Sequence, residues 1–360
     1  MSWSFRLVRI LGTDVKVHVT FLLLLAFLFA RVQLQAGAVA ALAMTGLFVA
    51  LFLCVLLHEF GHILMARHFG IRTPDVLLLP IGGMARLERI PEEPGQELLI
   101  ALAGPAVTLA IATLLYPVLS LAGDPVAWSL ADFDAPGIPK QLFYMNVLLL
   151  AFNLIPAFPM DGGRVLRAVL AWRLDYVQAT RIAASIGQMV AIGGAVLGIY
   201  SQEWMGVLIA LFIFFAAGQE AQMVATRAAG KGIIIDQMMV TRFVTIPVHA
   251  TLRMAADILL ETEQREFPVV DNNGTVEGLL TRDNLVRGLA VGGPDSTVGA
   301  AMTRPVPLLP LGLGFEEALG RLRSSGFPAL PVVDGVGKLV GLLTTDNITD
   351  LVLLRQATTK

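Results

Sequence analysis

The sequence predicts an α-helical protein that crosses a membrane several times and carries an α/β domain at its C-terminal end. Its 360 residues are 56% hydrophobic and only 15% charged, with a mean hydropathy of +0.72, which is more apolar than a soluble protein. Long charge-free runs fill the first part, and from Met239 the pattern changes to short strands and amphipathic helices. We therefore place a membrane domain at residues 1–222, a linker at 223–235 and the smaller domain at 236–360.

About six membrane-spanning helices are predicted, because roughly 20 apolar residues are needed to cross the hydrocarbon core. The charge-free runs are Val17–Ala30, Ala36–Leu57 continuing through His62, Leu98–Gly123, Gln141–Met160, Ile182–Gln202 and Trp204–Gln219. The first run could pass for a signal peptide. No small-x-small cleavage site precedes Arg31, however, and a second run follows at once, so we expect the first helix to be retained.

Lys and Arg are concentrated on one side of these spans. They occur before the first run and after the second, fourth and sixth, as Arg6, Arg9 and Lys16; Arg67, Arg72, Arg86 and Arg89; Arg164, Arg167, Arg173 and Arg181; and Arg227 and Lys231. Because loops rich in Lys and Arg stay in the cytoplasm, we expect a cell-membrane protein whose termini and C-terminal domain are cytoplasmic. The formal net charge of −2 gives no basic field for nucleic acid, so no nucleic-acid partner is expected.

His58, Glu59 and His62 lie inside the second apolar run, in the order His-Glu-Phe-Gly-His. Positions i and i+4 share one face of a helix, so His58 and His62 can hold one Zn²⁺, with Glu59 beside it to take a proton from bound water. Ionisable groups within a membrane helix are costly and usually mark a functional site. The alternative is an interfacial His-Glu-His cluster without a metal.

A catalytic zinc needs three protein ligands and an open position. At matching depth, Asp161 follows Pro156 and Pro159, which break helical hydrogen bonding. Such irregular backbone at membrane depth is tolerated where it lines a water-filled cavity. We therefore expect Asp161 to be the third ligand and Asn153 to hydrogen-bond the substrate carbonyl or the developing oxyanion. The alternatives are a helix cap or a partner of Arg164 for Asp161, and an interhelical hydrogen bond for Asn153.

The segment Pro80-Ile81-Gly82-Gly83 is a turn signal between two apolar stretches, 76–79 and 84–87. This pattern predicts a small β-hairpin, and a connector lying on the membrane is the alternative. A strand edge beside the metal could pair with an extended peptide. Gly82 and Gly83 are therefore candidate substrate-binding residues.

Together these motifs resemble the site-2 protease family of intramembrane zinc metalloproteases. The resemblance rests on His58-Glu59-Phe60-Gly61-His62, on Asn153…Pro156…Pro159-Met160-Asp161-Gly162, on the Pro80–Gly83 turn and on Ala103-Gly104-Pro105. It implies zinc held by His58, His62 and Asp161, with Glu59 as general base. It also implies membrane-spanning protein substrates, commonly regulators of transcription. Thr108 departs from the pattern, because many relatives have Asn there.

The C-terminal domain is an internal repeat with an offset of 63 residues. The offset aligns Pro268–Asp271 with Pro331–Asp334, and Gly278–Asn284 with Gly341–Asn347. A gapless repeat of this kind indicates a duplicated unit, which we place at residues 236–298 and 299–360. It resembles a pair of CBS domains, which implies adenosine-nucleotide binding in the clefts, or a module for homodimerisation and substrate docking. Asn284 and Asn347 stand where the family commonly has the Asp of Thr-x-x-Asp.

The sequence thus predicts a zinc-dependent intramembrane endopeptidase whose CBS pair regulates access or docks substrate. A transporter or channel gated by the CBS pair would show polar residues along a pore and repeated membrane halves, and neither pattern is visible. An inactive relative that acts as a scaffold is the third possibility. Metal content distinguishes it from the enzyme.

Overall fold

The protein divides into two compact units, Met1–Gln222 and Met223–Lys360. The structure, a computed structural model, describes residues 3–80, 82–86, 88, 91–121 and 137–358. Ile81 and Leu87 of the predicted hairpin, and the last two residues of the predicted Leu98–Gly123 span, lie outside these ranges.

Helices dominate the described part of the first unit. They are α1 (Val19–His68), α2 (Pro94–Leu121), α3 (Ile138–Asn153), α4 (Asp161–Ala171), α5 (Tyr176–Tyr200) and α6 (Trp204–Gly230). Within the described residues, α1, α2, α5 and α6 are long and apolar enough to cross a membrane. The fold is therefore that of a multi-helix membrane protein with four candidate spans.

Two local features explain why the structure shows four candidate spans where the sequence predicts six. The first two predicted runs fall in α1, a 50-residue helix kinked at Gly37, where φ is +85°. Only glycine adopts such a φ readily. α3 has 16 residues, or about 24 Å of helix, which is shorter than a hydrocarbon core of about 30 Å. The predicted Gln141–Met160 helix ends early, at Asn153, before the first proline of the turn that follows.

A four-stranded sheet packs against α1. Its strands are β1 (Ser4–Ile10), β2 (Thr13–His18), β3 (Asp75–Leu79) and β4 (Gly82–Arg86), in the order β1-β2-β3-β4. β2 and β3 are parallel, whereas β3 and β4 pair antiparallel, with Leu79 opposite Gly82. Val15, Val76 and Leu78 of the sheet pack on Phe60 and Ile63 of α1. This packing places β4, an outer strand of the sheet, near the His-Glu-His segment.

The second unit contains two copies of one fold. The first copy has β5 (Ile246–Pro247), α7 (Leu252–Glu261), β6 (Glu266–Val270), β7 (Val276–Thr281) and α8 (Arg282–Gly292). The second has α9 (Val298–Ala301), β8 (Leu309–Pro310), α10 (Phe315–Ser325), β9 (Ala329–Val333), β10 (Leu339–Thr344) and α11 (Thr345–Thr358). β6 and β7 match β9 and β10 after a shift of 63 residues. Val240 pairs with Leu342, and Leu279 with Thr303, so the segment before the first strand of each copy bonds to the last strand of the other.

Candidate active site

Three buried side chains from α1 and α4 converge in the first unit. The Nε2 atoms of His58 and His62 lie 3.1 Å apart, and each lies 3.2 Å from Oδ2 of Asp161. His58, His62 and Asp161 are 4%, 6% and 8% exposed. The two histidines share one face of α1, as their spacing predicts, and Asp161 is the first residue of α4.

A tight turn carries Asp161 from the end of α3 into this cluster. Ala157 N–H donates to the Ile155 carbonyl, and Met160 N–H donates to the Ala157 carbonyl. Gly163 closes the turn against α4, because a Cβ there would lie 2.6 Å from the backbone nitrogen of Phe158. The turn contains Pro156 and Pro159, which cannot donate backbone hydrogen bonds and so favour this irregular path over continued helix.

Glycines let α2 approach the two imidazoles closely. A Cβ at Gly61 would lie 2.6 Å from the carbonyl oxygen of Ala103, so this position permits the contact between α1 and α2. A Cβ at Gly104 would lie 2.7 Å from Nε2 of His58 and would also collide with the ring of His62. The backbone of α2 therefore forms one wall of the site.

Partners on α2 determine which nitrogen of each imidazole carries a proton. Nδ1 of His62 lies 2.7 Å from the carbonyl oxygen of Ile100, which can only accept, so Nδ1 is the donor. Nδ1 of His58 lies 2.8 Å from Oγ1 of Thr108, whose hydroxyl donates to the Gly104 carbonyl. Assigned from this network, both neutral imidazoles turn an unprotonated Nε2 towards Asp161.

The three converging atoms fit a zinc ion. Two imidazole Nε2 lone pairs and a carboxylate oxygen are all acceptors, so their mutual approach to 3.1–3.2 Å calls for a cation between them. Tetrahedral zinc with bonds of about 2.0–2.1 Å separates its ligand atoms by about 3.3 Å. Zinc-binding histidines also donate their other N–H to a carbonyl, carboxylate or water, as His62 does here.

Glu59 lies next to the cluster and touches β4. It is half-buried, and a Cβ at Gly83 would lie 2.6 Å from Cγ and 3.1 Å from Oε1 of Glu59. Gly82 begins the strand with a φ of +137°, a conformation that side chains rarely adopt. Asn153 is the half-buried last residue of α3. Among the described residues it makes no hydrogen bond to the three converging atoms.

The sequence did not single out several residues around the site. The Ile100 carbonyl is a backbone atom, for which the residue type gives no signal. Arg167 was counted among the charges of a cytoplasmic loop, yet it lies in α4 and is 1% exposed. It is hydrogen-bonded to Glu97 and Glu220, which were likewise not identified.

In the second unit, the two Thr-x-x-Asn segments cap helices and bridge the copies. Oγ1 of Thr281 accepts from the Asn284 N–H, and the Asn284 side chain donates to Oγ1 of Thr303 at 2.6 Å. The Asn347 side chain donates to the Met238 carbonyl at 3.3 Å. A cavity of about 330 Å³ beside Asn284 is lined by Arg287, Gly288, Gly292 and Ser296 among others.

Comparison with known proteins agrees with this arrangement. Residues 46–136 and 131–194 match peptidase family M50, and residues 235–291 and 298–354 match the CBS domain. A zinc metalloprotease of Methanocaldococcus jannaschii is 32% identical over 350 residues, which cover 97% of this chain and 96% of that protein. Stage IV sporulation protein FB of Bacillus subtilis is 31% identical over 172 residues, or 46% of this chain and 52% of that one.

A solved structure of a site-2 protease from Methanocaldococcus jannaschii is 35% identical, covers 61% of this chain and 95% of that chain, and has a TM-score of 0.46. The family assignment rests on the sequence identity, which extends over nearly the full length of the zinc metalloprotease. The resemblance seen in the sequence is confirmed. The chain belongs to peptidase family M50, the site-2 proteases, and is a membrane metalloprotease with a C-terminal pair of CBS domains.

Proposed function

We propose that this metalloprotease is a zinc-dependent intramembrane endopeptidase that hydrolyses peptide bonds in or near the transmembrane segments of membrane-bound substrates. The observation that carries the proposal is the buried triangle of acceptor atoms from His58, His62 and Asp161, built into a unit of membrane-length apolar helices. In this proposal these three residues hold one zinc ion. When bound, zinc supplies a Lewis acid that polarises the scissile carbonyl and makes water more acidic.

The protein's own side chains would then move the protons. Glu59, adjacent to His58 on α1, takes a proton from the attacking water and returns it to the leaving amine. Asn153 donates a hydrogen bond to the carbonyl oxygen of the scissile bond as negative charge develops there. The low exposure of the histidines and Asp161 keeps bulk water away from these charges, which strengthens each interaction.

We propose that β4 binds the substrate as an added strand. A peptide bond inside a helix is hydrogen-bonded and shielded, so a transmembrane substrate must unwind before cleavage. β4 is an outer strand of the sheet and lies against Glu59 at Gly83. An extended segment paired along Gly82 and Gly83 would pass the general base with its backbone exposed. Small or helix-breaking residues near the cleaved bond are therefore expected in substrates, which include membrane-anchored regulators of transcription.

For the CBS pair we propose regulation through an adenosine nucleotide. Its support is the cavity beside Asn284, where Arg287 can pair with a phosphate group. Homodimerisation or substrate docking is the second candidate, favoured by Leu260 and Val291, which are 84% and 86% exposed. Titration calorimetry of the full chain with AMP and ATP tests the first role, and sedimentation analysis tests the second.

We also propose that the protein has about six spans in the cell membrane, with both termini and the CBS pair in the cytoplasm. The domains would comprise residues 1–222, a linker at 223–235, and CBS domains at 236–298 and 299–360. The support is the concentration of Lys and Arg in alternate loops. Cys54 is the single cysteine and is buried, so a cysteine introduced at exposed Arg173 would report its side of the membrane by thiol labelling.

Cleavage by purified protein in liposomes tests the enzymatic proposal. Wild type should cleave a single-span membrane substrate, and Glu59→Gln should lower the rate by about 100-fold or more while it retains zinc. Glu203→Gln, the same substitution at an exposed position, is the matched control and should leave the rate unchanged. Cleavage by Glu59→Gln at the wild-type rate would exclude Glu59 as the base.

A further inference from the structure

A buried arginine joins three helices beside the metal site. Arg167 of α4 donates from Nε and Nη2 to Oε1 of Glu97 on α2, at 2.8 Å and 2.5 Å. Its Nη1 donates to Oε1 of Glu220 on α6, at 2.8 Å. The side chain of Arg167 is 1% exposed and that of Glu97 is 4% exposed. Nε and Nη2 thus share one oxygen of Glu97, while Nη1 binds a different helix.

Two aromatic rings complete this environment. The guanidinium carbon lies 4.9 Å from the ring centroids of both Phe158 and Tyr176, which is a cation–π distance. Phe158 is 1% exposed and lies in the turn that leads to Asp161, three residues before it. The guanidinium therefore contacts the turn through Phe158 and also binds the two neighbouring helices.

Arg167 connects the two parts of the metal site. Glu97 lies one turn before Ile100 on α2, the helix that fixes His62 through Ile100 and His58 through Thr108. Phe158 belongs to the turn that positions Asp161. The ion pair with Glu97 and the stacking on Phe158 thus fix the carboxylate relative to the imidazoles.

We propose that Arg167 is a positioning residue for the metal site and acts through Asp161. The inference rests on the proposed function, because it takes the three converging side chains as the zinc ligands. Ligand atoms only 3.1–3.2 Å apart leave little tolerance, and such sites must be held to about 0.5 Å. A Lys ammonium carries the same charge but has neither the planar fork nor the flat face that this environment uses.

Stability alone does not explain this network. A buried ion pair is weak evidence for stability, because desolvation of the charges offsets their attraction. Here Oε2 of Glu97 and the hydroxyl of Tyr176 are buried with no hydrogen-bond partner among the described residues, which adds a further cost. Apolar side chains in place of the whole network would avoid these costs, whereas removal of Arg167 alone would leave Glu97 and Glu220 without their cation. The geometry points instead to a role in holding the Asp161 carboxylate in place relative to the two imidazoles.

Zinc affinity of the full chain in detergent, measured by competition with a chelator of known affinity, tests the proposal. Arg167→Lys should weaken zinc binding by about 10-fold, the lower end of the range for a group that contacts a metal ligand directly, because Arg167 acts through Phe158 and Glu97. The kcat for a membrane substrate should fall while KM stays near wild type, because the β4 edge is untouched. Arg173→Lys, the same substitution at an exposed position just after α4, should match wild type in both measurements.

Each outcome decides the proposal. Wild-type zinc affinity in folded Arg167→Lys overturns it, as does a loss confined to thermal stability. If Arg167→Lys does not fold, Glu220→Gln keeps the size of the side chain and weakens one ion pair, and a several-fold loss of zinc affinity is then expected. No change in Glu220→Gln would count against Arg167. If wild type binds no zinc, the proposed function itself is refuted. That result differs from equal zinc binding by wild type and Arg167→Lys, which refutes only the role of Arg167.

Discussion

Oγ1 of Thr108 lies 2.8 Å from Nδ1 of His58 and accepts its N–H, which leaves Nε2 of His58 unprotonated and directed at Asp161. Thr108 is fully buried on α2, at the position where many relatives have Asn. A hydroxyl can therefore orient the imidazole in place of an amide. This contact makes Thr108 an outer partner of a proposed zinc ligand.

Thr108→Val is expected to weaken zinc binding by about 10- to 100-fold, because the His58 N–H would lose its acceptor. Thr108→Ser keeps the hydroxyl and should bind zinc nearly as wild type does. Chelator competition measures both variants. Equal affinity in Thr108→Val and wild type would show that this hydrogen bond does not orient His58.

Gly104→Ala should abolish zinc binding, because the added methyl group would occupy the space between α2 and the two imidazoles. Gly193→Ala is the matched control, since nothing lies within 4 Å of a Cβ at that helical position. It should retain zinc and gain slightly in stability, because alanine favours helix over glycine. Zinc analysis after dialysis compares the two. Full zinc content in Gly104→Ala would mean that α1 and α2 can move apart far enough to accommodate the methyl group, and would contradict the prediction.

Gly83→Ala should lower proteolysis without loss of zinc. The methyl group would displace the Glu59 side chain, which is not a ligand, and a displacement of about 1 Å can cost about 100-fold in rate. Gly46→Ala, in α1 with open space at its Cβ, should cleave normally. Loss of zinc from Gly83→Ala would instead indicate that β4 supports the metal ligands as well as Glu59.

Glu266 should make the second unit less stable as the pH rises. Burial raises the pKa of Glu266, and the nearby Asp346 carboxylate raises it further. The folded state then binds the proton more tightly than the unfolded state, where the pKa is near 4.5. The stability contributed by the protonated form is complete below that value and is lost as the pH rises through the folded pKa.

Glu266→Gln should therefore raise the melting temperature of the second unit, and more so at about pH 8 than at about pH 5. Glu277→Gln, at an exposed position on the neighbouring strand β7, serves as the control. Calorimetry of the full chain gives both values. A rise in melting temperature for Glu266→Gln that is larger at about pH 5 than at about pH 8 would contradict a raised pKa for Glu266.

The sequence predicts well what depends on local spacing. His58 and His62 share a helix face because they are four residues apart, and the 63-residue repeat reappears as matching strands β6 and β9. Depth in the membrane links Asp161 to the histidines, and the structure brings the three atoms within 3.2 Å. These features follow from regular backbone geometry and from the high cost of burying charge.

The rest depends on contacts between segments that are distant in the chain. Glu97, Arg167 and Glu220 are separated by 70 and 53 residues, and each can be read as an ordinary interfacial charge. The strand β1 has exposed apolar and basic residues in near alternation, a weak pattern beside the long apolar runs that follow. Gly37 interrupts α1 through a positive φ that glycine permits but does not require.

Zinc content of the purified full chain, after dialysis against a weak chelator, tests most directly whether His58, His62 and Asp161 hold one metal ion. Wild type should keep one zinc ion per chain, and Asp161→Ala should lose most of it. Asp175→Ala removes only an exposed helix cap of α5 and should keep its zinc. Zinc bound by Asp161→Ala as tightly as by wild type would contradict the proposed ligand set.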